Sequence, residues 1–427
     1  MGKALIPRSI DPRTITQLAL GTDRRIDALY GSLRVDNPNG FTFETTRRME
    51  LVAQSGKEVD ISIPRSQRIA LPKKKRLSEN MLSVEPIGKR LDALRYITLR
   101  AGWNQTDEDL QRIVRLDPKS TFIAYLSAGG SRVPVGSGVS APLGEHNAWI
   151  GLVAVVPELR RYGIANEIMI SCLMRALADK RIINGLDATP LGHTVYGALG
   201  YEDSYRLWRS SVSTETYADA PLDERVRPMT VRDMPDIVAY DAARFLERRA
   251  ILHALMRDAL AAFAARSNGR ISGYVLARPG RMAPFIGPLF ADDIETARTL
   301  ASACAQKLHA MGHRDAFIDT PEAAFEEVAA SPTAEPEKPR RHRIFPGLTP
   351  LRSFMRMYHL VSDEKAHSLL AAYCEKESLS LSSPRARRMA DMLYRGVLNY
   401  SVTKAFVEHE RTALLPHIGA ISGAEKG

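Results

Sequence analysis

The chain is poor in cysteine and has no long apolar run. Its three cysteines, Cys172, Cys304 and Cys374, stand far apart in 427 residues and form no C-x-x-C pair. That spacing excludes a disulfide framework and argues against a zinc site, so no metal is expected and a reducing, cytoplasmic setting is. No stretch of 18 apolar residues occurs, and the opening MGKALIPRSIDPRT lacks the apolar core of a leader. Neither a membrane span nor a signal peptide is therefore expected. Charge of one sign is also missing where it would matter. The formal charge of +10 divides into +6 over residues 1–80 and +5 over 331–427, leaving −1 for everything between. With no aromatic-interleaved basic stripe and no helix-turn-helix pattern, a nucleic-acid partner is not expected.

Ordinary proportions fill the rest: 44% hydrophobic and 25% charged residues, over a length greater than one core usually supports. Residues 1–80 read as a partly ordered basic extension ending in Pro72-Lys73-Lys74-Lys75-Arg76. From Met81 the character changes. A short strand at 82–86 and an amphipathic stretch at 87–101 lead into strands at 122–126 and 133–139, with a hairpin turn at Ala128-Gly129-Gly130-Ser131. Residues 149–156 form a continuous apolar run, the pattern of a strand buried on both faces. A helix over 164–178, a strand over 182–188, a short helix through Tyr196 and a strand from Tyr201 to Val212 follow. Residues 213–225 read as a linker.

The segment Val155-Val156-Pro157-Glu158-Leu159-Arg160-Arg161-Tyr162-Gly163-Ile164-Ala165 joins the buried strand to the helix. A helix start offers unpaired N–H groups and a positive dipole end, so it suits a phosphate group. Gly163 and Ala165 let the backbone close in, and Arg160 and Arg161 add charge. Downstream, Leu186-Asp187-Ala188-Thr189-Pro190-Leu191-Gly192-His193-Thr194-Val195-Tyr196-Gly197-Ala198-Leu199-Gly200-Tyr201 follows the second strand. Together these segments resemble the two signature motifs of the GNAT superfamily of acyl-CoA-dependent N-acetyltransferases. The likeness covers roughly residues 81–212 and includes Ala101-Gly102-Trp103-Asn104, an acceptor-side segment of one branch. Arg160 stands where the family usually has Gln, Ala165 where it has its last Gly, and Thr189 where it often has Asn.

The resemblance implies an α/β fold of the α+β type with a mixed sheet, and acetyl-CoA as acyl donor, with no metal. It implies that Val153, Ala154 and Val155 pair with pantetheine, that Arg160, Arg161, Tyr162, Gly163, Ile164 and Ala165 hold the diphosphate, and that Tyr196 protonates the departing thiolate. An amine must be neutral to attack a thioester, which calls for a base or a dry pocket. Glu145 is the candidate base, with His146 and Asp187 behind it; Cys172 reads as a small buried residue. The acceptor is a small-molecule or peptide amine. A non-catalytic CoA-binding regulatory or interaction module is the alternative.

The sequence also repeats itself. Phe285-Ile286-Gly287-Pro288-Leu289 echoes Trp149-Ile150-Gly151-Leu152 at an offset of 136, and Phe317-Ile318-Asp319-Thr320-Pro321 echoes the stretch from Leu186 to Pro190 at 131. Gly347-Leu348 matches Gly200-Tyr201 at 147, with the Pro-rich, charged stretch 331–341 as an inserted loop. A second, degenerate acetyltransferase-like unit is thus expected over 226–360, with its last strand at 349–358. Where its phosphate loop should be, the chain reads Ala291-Asp292-Asp293-Ile294-Glu295, whose carboxylates would repel a diphosphate. Residues 361–427 read as a helical extension that packs on this unit or makes a subunit contact in a homo-oligomer.

Overall fold

The computed structural model describes residues 81–325 and 346–411 apart from 129, 130, 222 and 247, together with Leu77 and the backbones of five short upstream strands. Three of those strands, Ser32–Asp36, Gly40–Glu44 and Gln67–Ala70, pair antiparallel into a small sheet. The Lys/Arg run at 73–76, the hairpin residues Gly129 and Gly130 and the insertion at 331–341 lie outside the described residues.

The first unit's strands, with the continuous apolar run at the centre, are β1 (Leu82–Pro86), β2 (Thr121–Ala128), β3 (Ser131–Leu143), β4 (Asn147–Val155), β5 (Ile183–Ala188) and β6 (Tyr201–Ser213). Its helices are α1 (Leu91–Arg100), α2 (Asp107–Leu116), α3 (Ile164–Ala178) and α4 (Pro190–Gly197). The sequence reading passed over α2, whose start is fixed by a reciprocal cap between Thr106 and Asp109. The second unit repeats the plan with β7 (Val226–Pro228), β8 (Ala261–Ser267), β9 (Arg270–Arg278), β10 (Phe285–Ala291), β11 (Asp315–Pro321) and β12 (Leu348–His359). It carries α5 (Met234–Ala242), α6 (Arg249–Arg257) and α7 (Ile294–Ala310). Then come α8 (Asp363–Glu377), α9 (Pro384–Leu398) and α10 (Tyr400–His409). No helix among the described residues is long and apolar enough to cross a membrane.

All twelve strands join in one sheet, in the order β7-β8-β9-β10-β11-β6-β12-β5-β4-β3-β2-β1. The middle of that order departs from the sequence boundaries. β12, at the end of the second unit, pairs antiparallel with β5 of the first, while β6 pairs antiparallel with β11 of the second. β6 and β12 also pair with each other along most of their length. Each unit therefore receives its closing strand from the other, and residues 81–212 and 226–360 are not two separable sheets. Alternation along 348–359 marks a strand but carries no information about which edge it joins, because the side-chain period is the same on either.

The supposed linker is packed as well. Thr214 is buried with its hydroxyl donating to the Arg314 carbonyl at 3.0 Å, the Tyr217 hydroxyl reaches the Pro346 carbonyl at 3.1 Å, and Gln306 caps the carbonyls of Ala218 and Ala220. Side chains bind the units further. Arg209 on β6 grips Asp319 on β11 through two bonds of 2.8 and 2.9 Å, and Arg278 reaches Asp109 at 3.3 Å.

Candidate active site

Sheet hydrogen bonding opens a cleft in the first unit. β4 and β5 run parallel and pair only as far as Ile150 and Leu186. Beyond that point Gly151–Val155 has no partner strand on the β5 side. On its other edge β4 bulges: Ala154 pairs with Ser137 and Gly151 with Val139, so Leu152 and Val153 face the single residue Gly138. Leu152 takes a left-handed φ of +50°, and its carbonyl is held by the Ser137 hydroxyl at 2.8 Å. A bulge of this kind re-aims a backbone group away from the ladder. Val153, Ala154 and Val155, expected to pair with pantetheine, lie on the part of β4 that has no partner strand on the β5 side.

At the cleft's end the chain turns through Pro157–Leu159 into α3. Arg161 (φ +68°) and Gly163 (φ +80°) both adopt left-handed backbone, and a Cβ at Gly163 would meet nothing within 4 Å. Glycine is used there for its conformation, and the space above it is open. The N–H groups of residues 161–165 find no acceptor among the described residues. Arg160 and Arg161 are exposed, with the Arg160 Nε donating to the Val155 carbonyl at 3.4 Å. Glu158, the one carboxylate in the loop, is neutralised by Arg100 from α1. This leaves a helix start with free donors and uncompensated cations, a fit for a diphosphate. α3 lies close to the sheet because β3 presents Gly136 and Gly138; a Cβ on Gly138 would stand 2.4 Å from Ile168 and 3.0 Å from Cys172.

Tyr196 lies on α4, whose start is capped by the Thr189 hydroxyl accepting from the Gly192 N–H at 3.2 Å. Thr189, where the related family often has Asn, thus has a structural job. The Tyr196 ring folds over Gly192, where a Cβ would come within 2.7 Å of it, and stands 6.2 Å from the Tyr201 ring. Burial, and secondarily the neighbouring Cys172, push its hydroxyl well above the usual phenol range, so it stays protonated and able to donate. No hydrogen bond of this hydroxyl is found among the described residues. Cys172 is fully buried and burial raises its thiol too, which makes it inert packing.

Glu145 does not belong to this site. It sits in the turn before β4 with its side chain 89% exposed and only His146 near it, at 3.9 Å. Eight residues of extended chain separate it from Val153, roughly 25 Å at about 3.3 Å per residue. Closeness in sequence to the strand misplaced it. His146 fails for the same reason. Asp187 stands at the cleft, but both its oxygens are gripped by Arg356 on β12, at 3.0 and 3.2 Å.

Sequence reasoning missed the group around that pair. Arg356, Tyr205, Glu410 and Trp149 are all buried; Arg356 donates to the Tyr205 oxygen at 2.7 Å, and the Tyr205 hydroxyl donates to Glu410 at 3.1 Å. Burial raises the Glu410 carboxyl. An arginine amid the apolar positions of 348–359 was the available signal, though it could not name its partner. Asn104, expected on the acceptor side, is fixed to the second unit: its amide accepts from the Met282 N–H at 2.8 Å and donates to the Ala283 carbonyl at 2.9 Å.

The second unit has the same splay, since β10 and β11 pair only at Phe285–Phe317 and Ile286–Ile318. Its connection to α7 is two residues long. Asp293 caps α7 by accepting from the Thr296 N–H at 2.7 Å, and that bond holds its carboxyl below the usual range. Asp292 accepts from the Tyr240 hydroxyl at 2.8 Å and pairs with Arg244. Carboxylates thus already occupy the place a diphosphate would need.

Residues 237–338, within this second unit, match the family model for the acetyltransferase (GNAT) domain. No curated protein matches the chain. Among solved structures, a proposed acetyltransferase from Pyrococcus horikoshii is similar with a TM-score of 0.50 at 22% identity, covering 66% of this chain and 90% of that one. A GCN5-related N-acetyltransferase from Sphaerobacter thermophilus gives 0.45 at 13% identity, covering 65% and 95%. A tandem GNAT protein from the clavulanic acid biosynthesis pathway gives 0.42 at 13%, covering 65% and 98%. Residues 237–338 thus match the acetyltransferase (GNAT) domain, and the chain shares the fold that the resemblance carried by Arg160–Ala165 and Leu186–Tyr201 implied.

Proposed function

We propose that the first unit transfers an acetyl group from acetyl-CoA to a primary amine, directly and without a covalent enzyme intermediate. What supports this reading is the conjunction of a helix start whose N–H groups find no acceptor among the described residues, a splayed and bulged β4 beside it, and a Tyr196 kept protonated on α4 after β5. Residues 160–165 would hold the diphosphate, and the free edge of Val153, Ala154 and Val155 would pair with the pantetheine amides. A backbone N–H at the bulge would donate to the thioester oxygen as that oxygen gains negative charge. The amine nitrogen bonds to the carbonyl carbon, the C–S bond breaks, and Tyr196 gives its proton to the leaving sulfur while the amine loses one to solvent. With Glu145 remote and Asp187 paired, no side chain is assigned as base. The second unit, lacking a phosphate loop, serves as a structural partner.

Isothermal titration calorimetry tests the core of this. Acetyl-CoA binding should weaken at least about tenfold when Arg160 and Arg161 both become Ala, since charge-assisted bonds to phosphate are worth about 1.5–3 kcal/mol each. Unchanged binding would remove the proposed phosphate site. Release of CoA thiol with an amine panel should fall in Tyr196→Phe. Tight binding with no turnover on any amine would favour the non-catalytic CoA-binding module instead.

A further inference from the structure

β5 has two edges, and each is held over a different part of its length. Its ladder with β4 ends at Leu186, whereas its ladder with β12 runs from Gly185–Tyr358 to Ala188–Met355. The two residues that line the cleft, Asp187 and Ala188, are therefore tied into the sheet by the strand that comes from the second unit. Beneath them lies the Arg356 guanidinium, with its side chain wholly buried. Its fork takes both Asp187 oxygens, at 3.0 and 3.2 Å, and its Cζ lies over the Trp149 ring on β4, 4.6 Å from the ring centroid. Its other nitrogen reaches the Tyr205 oxygen on β6 and, at 3.4 Å, Glu410 just past α10. Gly185 leaves room for this arrangement, because a Cβ there would stand 2.5 Å from Trp149 and 2.8 Å from Tyr358.

One side chain thus touches both strands at the root of the splay. We infer that Arg356 is a positioning residue for the acyl-CoA site: wedged between Asp187 and Trp149, it sets the width at which β5 leaves β4 and so shapes the slot for pantetheine. A planar fork is needed, since one face must lie on the indole while the edge grips a carboxylate; lysine cannot do both. The second unit, which has no phosphate loop of its own, contributes this residue to the first unit's cleft. The inference rests on the cofactor reading given above.

The test uses the full chain and two ligands. Acetyl-CoA fills both the phosphate loop and the slot, while 3′-phosphoadenosine 5′-diphosphate carries the phosphates without pantetheine and reports on the loop alone. In Arg356→Lys and Asp187→Asn, the calorimetric affinity for acetyl-CoA should fall about tenfold while that for the nucleotide stays constant, the scale expected for coupled residues in one network. Equal losses for both ligands would make the pair a general fold element, and no loss for either would detach it from the cleft; either result overturns the inference. Should Arg356→Lys fail to fold, the near-isosteric Asp187→Asn decides. Wild-type protein that binds neither ligand would refute the phosphate site itself, and the inference with it.

Discussion

His359, the last residue of β12, makes a prediction whose size follows from its surroundings. Its ring is wedged between two glycines: a Cβ on Gly200 would lie 3.2 Å from its Nε2, and a Cβ on Gly396 of α9 would lie 2.6 Å from its Cε1. Nε2 donates to the Leu199 carbonyl at 3.1 Å, the Tyr201 ring stands 5.4 Å away, and the nearest charge is Lys365, itself paired with Glu202. Burial lowers the imidazole from 6.5 to about 4; the Leu199 bond opposes this and Lys365 adds to it. A lowered basic group binds fewer protons folded than unfolded, so its contribution is nil above pH 6.5 and becomes a penalty as pH falls toward 4. At about 1.4 kcal/mol per pH unit the penalty reaches roughly 3 kcal/mol by pH 4. Other buried groups also titrate in this window, so the assay is a comparison: urea unfolding from pH 7.5 to 4.5 for the wild type and for His359→Gln, which can keep the bond to Leu199. The wild-type stability should fall more steeply, the two curves separating by roughly 2 kcal/mol or more over the range. Parallel curves would show that the imidazole protonates freely in the folded state and would refute the wedge argument.

Two further substitutions probe packing on either side of the exchanged strands. Gly138→Ala puts a methyl against Ile168 and Cys172, and overpacking should cost about 1–3 kcal/mol by chemical denaturation; a neutral result would mean that α3 can move away from β3. Asp319→Asn leaves the buried Arg209 without its countercharge and should cost about 3–5 kcal/mol, with both units melting together because the pair spans β6 and β11. Two separate transitions would contradict a single shared sheet.

The parts of the fold that sequence revealed are those fixed by local chemistry. The helix at 164–178 and the strand starting at Tyr201 follow from apolar spacing and from the glycines that precede them. The turn into α3 that we propose holds phosphate was visible because Arg160, Arg161, Gly163 and Ala165 are neighbours in sequence. Glu145 and Asp187 show the limit. Both flank buried strands, yet one lies at the distant end of β4 and the other is claimed by an arginine 169 residues away. Strand alternation specifies which face a residue occupies; it does not specify the neighbouring strand, so Arg356, Tyr205 and Glu410 could not be brought together from sequence.

The exchange also explains why a unit without a phosphate loop can matter to one that has it. A chain ending before residue 346 would lose β12, leaving Asp187 and Ala188 at the cleft end of β5 without their ladder and Asp187 without the Arg356 guanidinium. The reverse cut removes β6 from beside β11 and leaves Asp319 without Arg209. Both losses combine an exposed strand edge with the breaking of a buried ion pair, each costly by itself. Neither half can then be trimmed to a free-standing unit. The same logic places α8 to α10 within the working structure: Arg385 and Arg388 on α9 pair with Glu167 in the first turn of α3, one turn from the phosphate loop, and Glu410 closes the network behind Arg356. The helical extension is therefore tied to the first unit at two points, the first turn of α3 through Glu167 and the Arg356 guanidinium through Glu410.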